Sequence, residues 1–323
     1  MKSPFAAFAG LDRAIYALFA AQVVNSLGHF VHPFLTLFFT QRLGLGEAQA
    51  GGFLFLISAS WAPGLALGGR IADRFGRKAS LLLFHLLSAL CLVPCAFLDA
   101  SPAVPWLLLA ANFFRGAAEP INDALVTDVT RAEQRKAAFS LLYLGHNLGL
   151  AGGLTIAGYL FNRAPAWLFL GDALTTAAAL LLILLWVRET APSRGEIERS
   201  LREDTGPERA ERRSLFAVLL RRPFLLAFLA IQIVFSFVYS QSAFSLPLQL
   251  KALFGEGGAQ RYGLLMSVNT GVVILMTTVA LRVTARMKPA LAVALAGAFF
   301  AVGFGMVGFL RTLPLFFAST VIW

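Results

Sequence analysis

Arg115, Glu119 and Asp123 recur at intervals of four, the spacing that sets side chains along one stripe of an α-helix. Pro120 stands among them and removes a backbone hydrogen bond at that level. The surrounding stretch, 104 to 128, is otherwise apolar and long enough to cross a bilayer. A charge at the membrane centre costs at least about 2.5–3.5 kcal/mol on insertion scales, so the stripe is expected to face a watery cavity or other helices. Ionisable groups so placed read as parts of a transport path. A carboxylate that burial and a nearby arginine pull in opposite directions is a candidate reversible proton carrier, and Glu119 and Asp123 both fit. The competing structural reading is an Arg115–Glu119 ion pair that only offsets its own burial.

All four histidines fall in apolar stretches. His29 and His32, beside Pro33, are candidates for binding substrate or carrying protons, because imidazole titrates near neutral pH. His85 and His146 read better as neutral rings hydrogen-bonded between helices, and Asp172 as a buried partner for a neighbour. Cys91 and Cys95 lie one helical turn apart, but two thiols without companion ligands do not complete a zinc site. Neither a metal nor a cofactor is expected. The chain has no H-E-x-x-H, G-x-S-x-G or G-x-x-x-x-G-K-[ST] pattern, so no enzymatic chemistry is expected.

These residues must be positioned by membrane-spanning helices. Hydrophobic residues make up 58% of the chain and charged ones 14%, against about a quarter charged in a soluble domain. Spans are expected at 14 to 40, 50 to 69, 79 to 98, 104 to 128, 137 to 160, 165 to 187, 223 to 250, 262 to 282 and 289 to 310. The first is read as an uncleaved helix rather than a signal peptide. The net charge of +10 would suit nucleic acid, but the cations sort by side of the membrane. With the amino terminus in the cytoplasm, twenty-one lysines and arginines fall on that side and five on the other. That is the positive-inside pattern, so basicity reports topology and no nucleic-acid partner is expected.

Between Arg188 and Arg222 the composition turns to Glu, Arg, Pro and Ser. The expected organisation is a six-helix bundle at 1–187, a cytoplasmic loop at 188–222 and a second bundle at 223–323. A shift of 211 residues sets Gly44 on Gly255, Ala48-Gln49 on Ala259-Gln260, Gly52 on Gly263 and Arg77 on Lys288, a repeat of the kind from which many transporters are built. At that shift Trp323 aligns with Asn112. The second bundle is therefore expected to be incomplete, with three spans and part of a fourth.

The string Gly69-Arg-Ile-Ala-Asp-Arg-Phe-Gly-Arg-Lys-Ala-Ser-Leu81 lies between the second and third spans. Gly69 and Gly76 suit close packing and tight turning, and Asp73 with Arg74, Arg77 and Lys78 is expected to form a compact electrostatic knot. The string resembles motif A of the major facilitator superfamily, and the resemblance in spans, central loop, repeat and topology covers the whole chain. It implies an all-α polytopic membrane protein of two bundles, working by alternating access. It also implies that the motif A loop gates the outward-facing state, with Asp73 at a helix amino terminus and Arg77 paired to Asp128. Arg115 matches the motif B arginine linked to proton coupling. Gly149, Gly153 and Gly158 resemble motif C of drug–proton antiporters, although Leu154 stands where that motif has a proline. The expected function is proton-coupled export of a small amphipathic solute, with uptake symport or a non-transporting sensor as alternatives. The expected partners are that solute, protons and the lipid bilayer, for a monomer in the bacterial inner membrane.

Overall fold

The computed structural model describes residues 8–98, 101–190, 223–284 and 287–323, and every regular element among them is helical. The first crossing is built from two pieces. Helix α1 (Arg13–Leu27) is capped by Asp12, whose side chain accepts from the Ala14 amide at 2.7 Å. The chain leaves helical pairing at 28–30 and resumes as α2 (Val31–Leu37), followed by a π-helical turn, Phe38–Arg42. Pro33 has no N–H to offer the carbonyl four residues back, at His29, so the break and the proline belong together.

Five long helices follow: α3 (Glu47–Phe75), α4 (Arg77–Cys95), α5 (Val104–Asp128), α6 (Ala132–Arg163) and α7 (Ala166–Trp186). After the central connection come α8 (Pro223–Ser240), α9 (Ser245–Phe254), α10 (Gly258–Thr284), α11 (Pro289–Val307) and α12 (Leu313–Ile322). Each expected span coincides with one helix or a broken pair. The expected 188–222 loop, beyond Arg188, Glu189 and Thr190, lies outside the described residues. The second span runs on to Phe75 rather than stopping near 69, so most of motif A is helix and the turn reduces to Gly76. Its φ of +97° is a conformation that side-chain-bearing residues rarely adopt.

Helices α1 to α7 pack as one group, α5 against α3 and α4, and α1 against α6 and α7. Water does not drive helices together within lipid, so close backbone approach and interhelical hydrogen bonds carry the packing. At the expected glycines the structure shifts the contact by one residue. A Cβ added to Gly69 would meet nothing within 4 Å, whereas Gly68 sits against the Ala117 backbone of α5.

Among the contacts that join this group to α8–α12 are four toward the end opposite Gly76. Phe34 of α2 meets Tyr262 of α10 edge to face, centroids 5.2 Å apart. Thr155 donates to Ser267 at 2.7 Å, and Asn162 donates to the Glu256 carbonyl. Thr36 donates its hydroxyl to the Ala243 carbonyl at 2.7 Å. That last carbonyl is free because Pro247, four residues on, has no N–H. The chain breaks there too, between α8 and α9, so each group has a proline-linked break in its first crossing, and the two meet. Beside them Lys251 donates to the exposed Glu256 carboxylate and holds its pKa below the usual range.

Candidate functional site

Arg115, Glu119 and Asp123 all line one polar cavity of about 390 Å³ among α1, α3, α4, α5 and α6. The stripe thus faces a space between helices, as its cost in lipid requires. Arg115 is not paired with Glu119. Its Nη2 bonds the carboxylate of Asp172 on α7, a side chain with no exposure to solvent, and its Nη1 lies 3.0 Å from His29 Nδ1 at the break in the first crossing. One guanidinium therefore ties α5 to α7 and to the discontinuity between α1 and α2. Asp172 is across the bundle from Arg115 rather than one turn along the same helix, and five fixed donors let arginine serve both partners at once.

Glu119 and Asp123 are exposed to the cavity and have no ion pair among the described residues. His146 Nδ1 lies 2.9 Å from Ser26 Oγ, and Gln22 donates to the same hydroxyl at 3.1 Å, the interhelical role expected of that ring. His85 lines the cavity beside Glu119. His32 forms no hydrogen bond with Arg115; it stands 5.9 Å from the His29 ring and lines a separate small space with Arg115 and Asp172. A larger cavity, about 880 Å³ between α8, α9 and α11, is lined by residues such as Ile231, Phe235 and Phe300 and by no charged side chain. The ionisable side chains lie in the smaller one.

The motif A turn is built differently from the expected knot. Arg77 pairs with Asp128 and donates to the Ala124 carbonyl at 3.1 Å. Lys78 reaches the Leu184 carbonyl in the last turn of α7 at 2.8 Å, where helix carbonyls attract cations. Arg74 lies over the Phe75 ring at 5.4 Å. Asp73 is exposed and forms no hydrogen bond or ion pair among the described residues. The charges diverge because the single-residue turn at Gly76 points the last turn of α3 and the first of α4 toward different neighbours.

A residue that sequence reasoning passed over completes this turn. The Glu189 carboxylate accepts from the amides of Arg77 at 2.8 Å, Lys78 at 3.2 Å and Ala79 at 3.3 Å, and Thr190 donates to Asp128 at 3.0 Å. Three orphan amides of the α4 amino terminus are thereby satisfied. The only local signal was an acid three residues past the end of an apolar helix.

The sequence profile described as the Major Facilitator Superfamily matches residues 7–323. The chain belongs to the major facilitator superfamily. Among the superfamily's curated members, the class B tetracycline resistance protein of Escherichia coli is 29% identical over 153 residues, 46% of this chain and 36% of that protein. The multidrug resistance protein MdtH of Photorhabdus laumondii subsp. laumondii is 30% identical over 177 residues, 53% and 42%. The 3-(3-hydroxy-phenyl)propionate transporter of Escherichia coli (strain K12) is 29% identical over 179 residues, 54% and 42%. The chain thus spans about two fifths of the length of these relatives. Solved structures share the fold. A D-xylose–proton symporter superposes with a TM-score of 0.66 at 17% identity, covering 95% of this chain and 79% of that one. A POT family transporter in complex with 5-aminolevulinic acid gives 0.69 at 17%, covering 98% and 81%.

Of the motif C-like glycines, Gly149 and Gly153 lie on the backbone of α1 at Val23 to Leu27, while Gly158 lies on α10, where an added Cβ would stand 2.8 Å from the Ala259 carbonyl. The glycine row of this superfamily member thus serves two packing contacts, one within its group and one between groups.

Proposed function

We propose that the protein is a secondary active transporter that alternates access around the polar cavity, with proton-coupled export of a small amphipathic solute as its activity. The observation that carries this is the placement of Arg115, Glu119 and Asp123 on the wall of one cavity lined by α1, α3, α4, α5 and α6. Closed contacts at the Phe34–Tyr262 end, with Asp73 exposed at the other, support an arrangement that opens toward the motif A side. With that side cytoplasmic, as the positive-inside distribution supports, this is the inward-facing state. Glu119 and Asp123 carry the proton, and Arg115 and His29 couple it to the break in the first crossing. The motif A turn with Asp128 acts as the gate, Asp73 being the acid left over for a partner in the outward-facing state.

Leu154 in place of the motif C proline favours a second reading, uptake symport through the same cavity. The experiment is flux in proteoliposomes under an imposed proton gradient. Arg115→Ala is expected to insert normally and to lose gradient-driven flux by at least tenfold. Unchanged flux removes Arg115 from the mechanism, and the sign of the gradient that drives accumulation separates export from uptake.

A further inference from the structure

The cavity's charges do not balance, and the imbalance points to a class of ligand. Arg115 is its one cationic wall residue, and that charge is already matched by Asp172. Glu119 and Asp123 have no such partner among the described residues. Among the described residues, the two helices α8 and α10 do not correct this. Helix α8 carries no charged residue, and α10, which packs on α6, carries none between Arg261 and Arg282. The opposite walls hold Trp61 from α3 and Phe139 and Tyr143 from α6, rings whose faces attract cations.

We infer that the cavity takes a monovalent organic cation, an ammonium or guanidinium on an aromatic or aliphatic body, with Glu119 and Asp123 as counter-charges and Trp61, Phe139 and Tyr143 against the body. This rests on the transport reading and names its substrate class. An anion is disfavoured because the one arginine is taken. An inorganic cation is disfavoured because, among the described residues, no three His, Cys, Asp or Glu side chains gather closely enough to hold one. A volume of about 390 Å³ falls in the range of small-molecule sites, ~300–1,000 Å³.

The test compares three probes with one ring and chain, 4-phenylbutylammonium, 4-phenylbutanol and 4-phenylbutyrate, by calorimetry on the solubilised chain without a gradient. The ammonium is expected to bind at least tenfold more tightly than either other probe. Glu119→Gln with Asp123→Asn is expected to erase that preference, and Glu119→Asp to keep it. Equal or tighter binding of the alcohol or the carboxylate overturns the inference, as does displacement of the ammonium by millimolar sodium or a double variant that keeps the preference. Because the wild-type comparison needs no variant, misfolding of the double variant leaves the inference exposed to refutation. Ammonium preference with flux indifferent to Arg115 sinks the coupling scheme alone; carboxylate preference with Arg115-dependent flux sinks this inference alone.

Discussion

Arg115 and Asp172 are each costly in a membrane alone, and each makes the other tolerable. Removing one partner of a buried pair leaves an uncompensated charge, at a cost of about 3–5 kcal/mol. Asp172→Asn is therefore expected to lower the melting temperature of the purified protein sharply. Adding Arg115→Gln to that variant should restore part of the loss, so that a double-mutant cycle shows coupling between the two sites. Additive effects would mean that the pair does not stabilise the bundle. Arg115 was readable as a functional candidate because a cation in an apolar span is conspicuous. Its partner was not, because Asp172 lies 57 residues away, and only the packing of α7 beside α5 and the first crossing selects it over Glu119.

Helix-level arrangements follow from backbone chemistry that small residues and prolines set up. Helices α6 and α10 touch at Gly158 and Gly263, where an added Cβ on Gly158 would stand 3.2 Å from the Gly263 Cα. Cysteines replacing Thr155 and Ser267, whose hydroxyls are 2.7 Å apart, should cross-link readily. Adding Gly158→Val should cut the yield severalfold by forcing the helices apart, and an unchanged yield would show that the contact is not close in the membrane. At the other end Glu189 caps α4. Being exposed, it contributes about 0.3–1 kcal/mol in the manner of acids at helix amino termini. Glu189→Gln should lower stability by that amount, and faster amide exchange at Lys78 and Ala79 is the measurement that checks it.

For the molecule as a whole, the Phe34–Tyr262 pair and three hydrogen bonds that join the helix groups lie toward the end opposite Gly76, and the polar cavity is lined by α1, α3, α4, α5 and α6. Phe34, Phe39, Phe161, Leu246 and Tyr262 are fully or nearly buried in one cluster shared by both groups, whereas the cluster containing Ile15, Leu81, Ile121 and Leu125 belongs to α1–α7 alone. Such a seal on one side makes accessibility asymmetric. In a background of Cys91→Ser and Cys95→Ser, Asn122→Cys should react with a membrane-impermeant thiol reagent added on the Asp73 side and be protected from reagent on the other. Equal labelling from both sides would show that the seal does not hold in the bilayer.

Helix positions were legible in the sequence because lipid imposes length and apolarity on every crossing, and α5 begins and ends where hydropathy placed it. The stripe at 115, 119 and 123 was legible because helical periodicity is local. The Gly76 turn was legible in type, since only glycine accepts its positive φ readily, but the expected knot around it dissolved. Arg77 meets Asp128, the partner the motif A resemblance implied, but Lys78 found a carbonyl of α7, 106 residues away. The two breaks were hidden because a proline marks a missing donor without saying whether the helix bends or parts. Long-range choices of that kind, which acid meets Arg115, which hydroxyl meets the Ala243 carbonyl and which end is sealed, depend on the positions of neighbouring helices. Hydrogen bonds act only within about 3 Å, so tertiary packing alone could decide them.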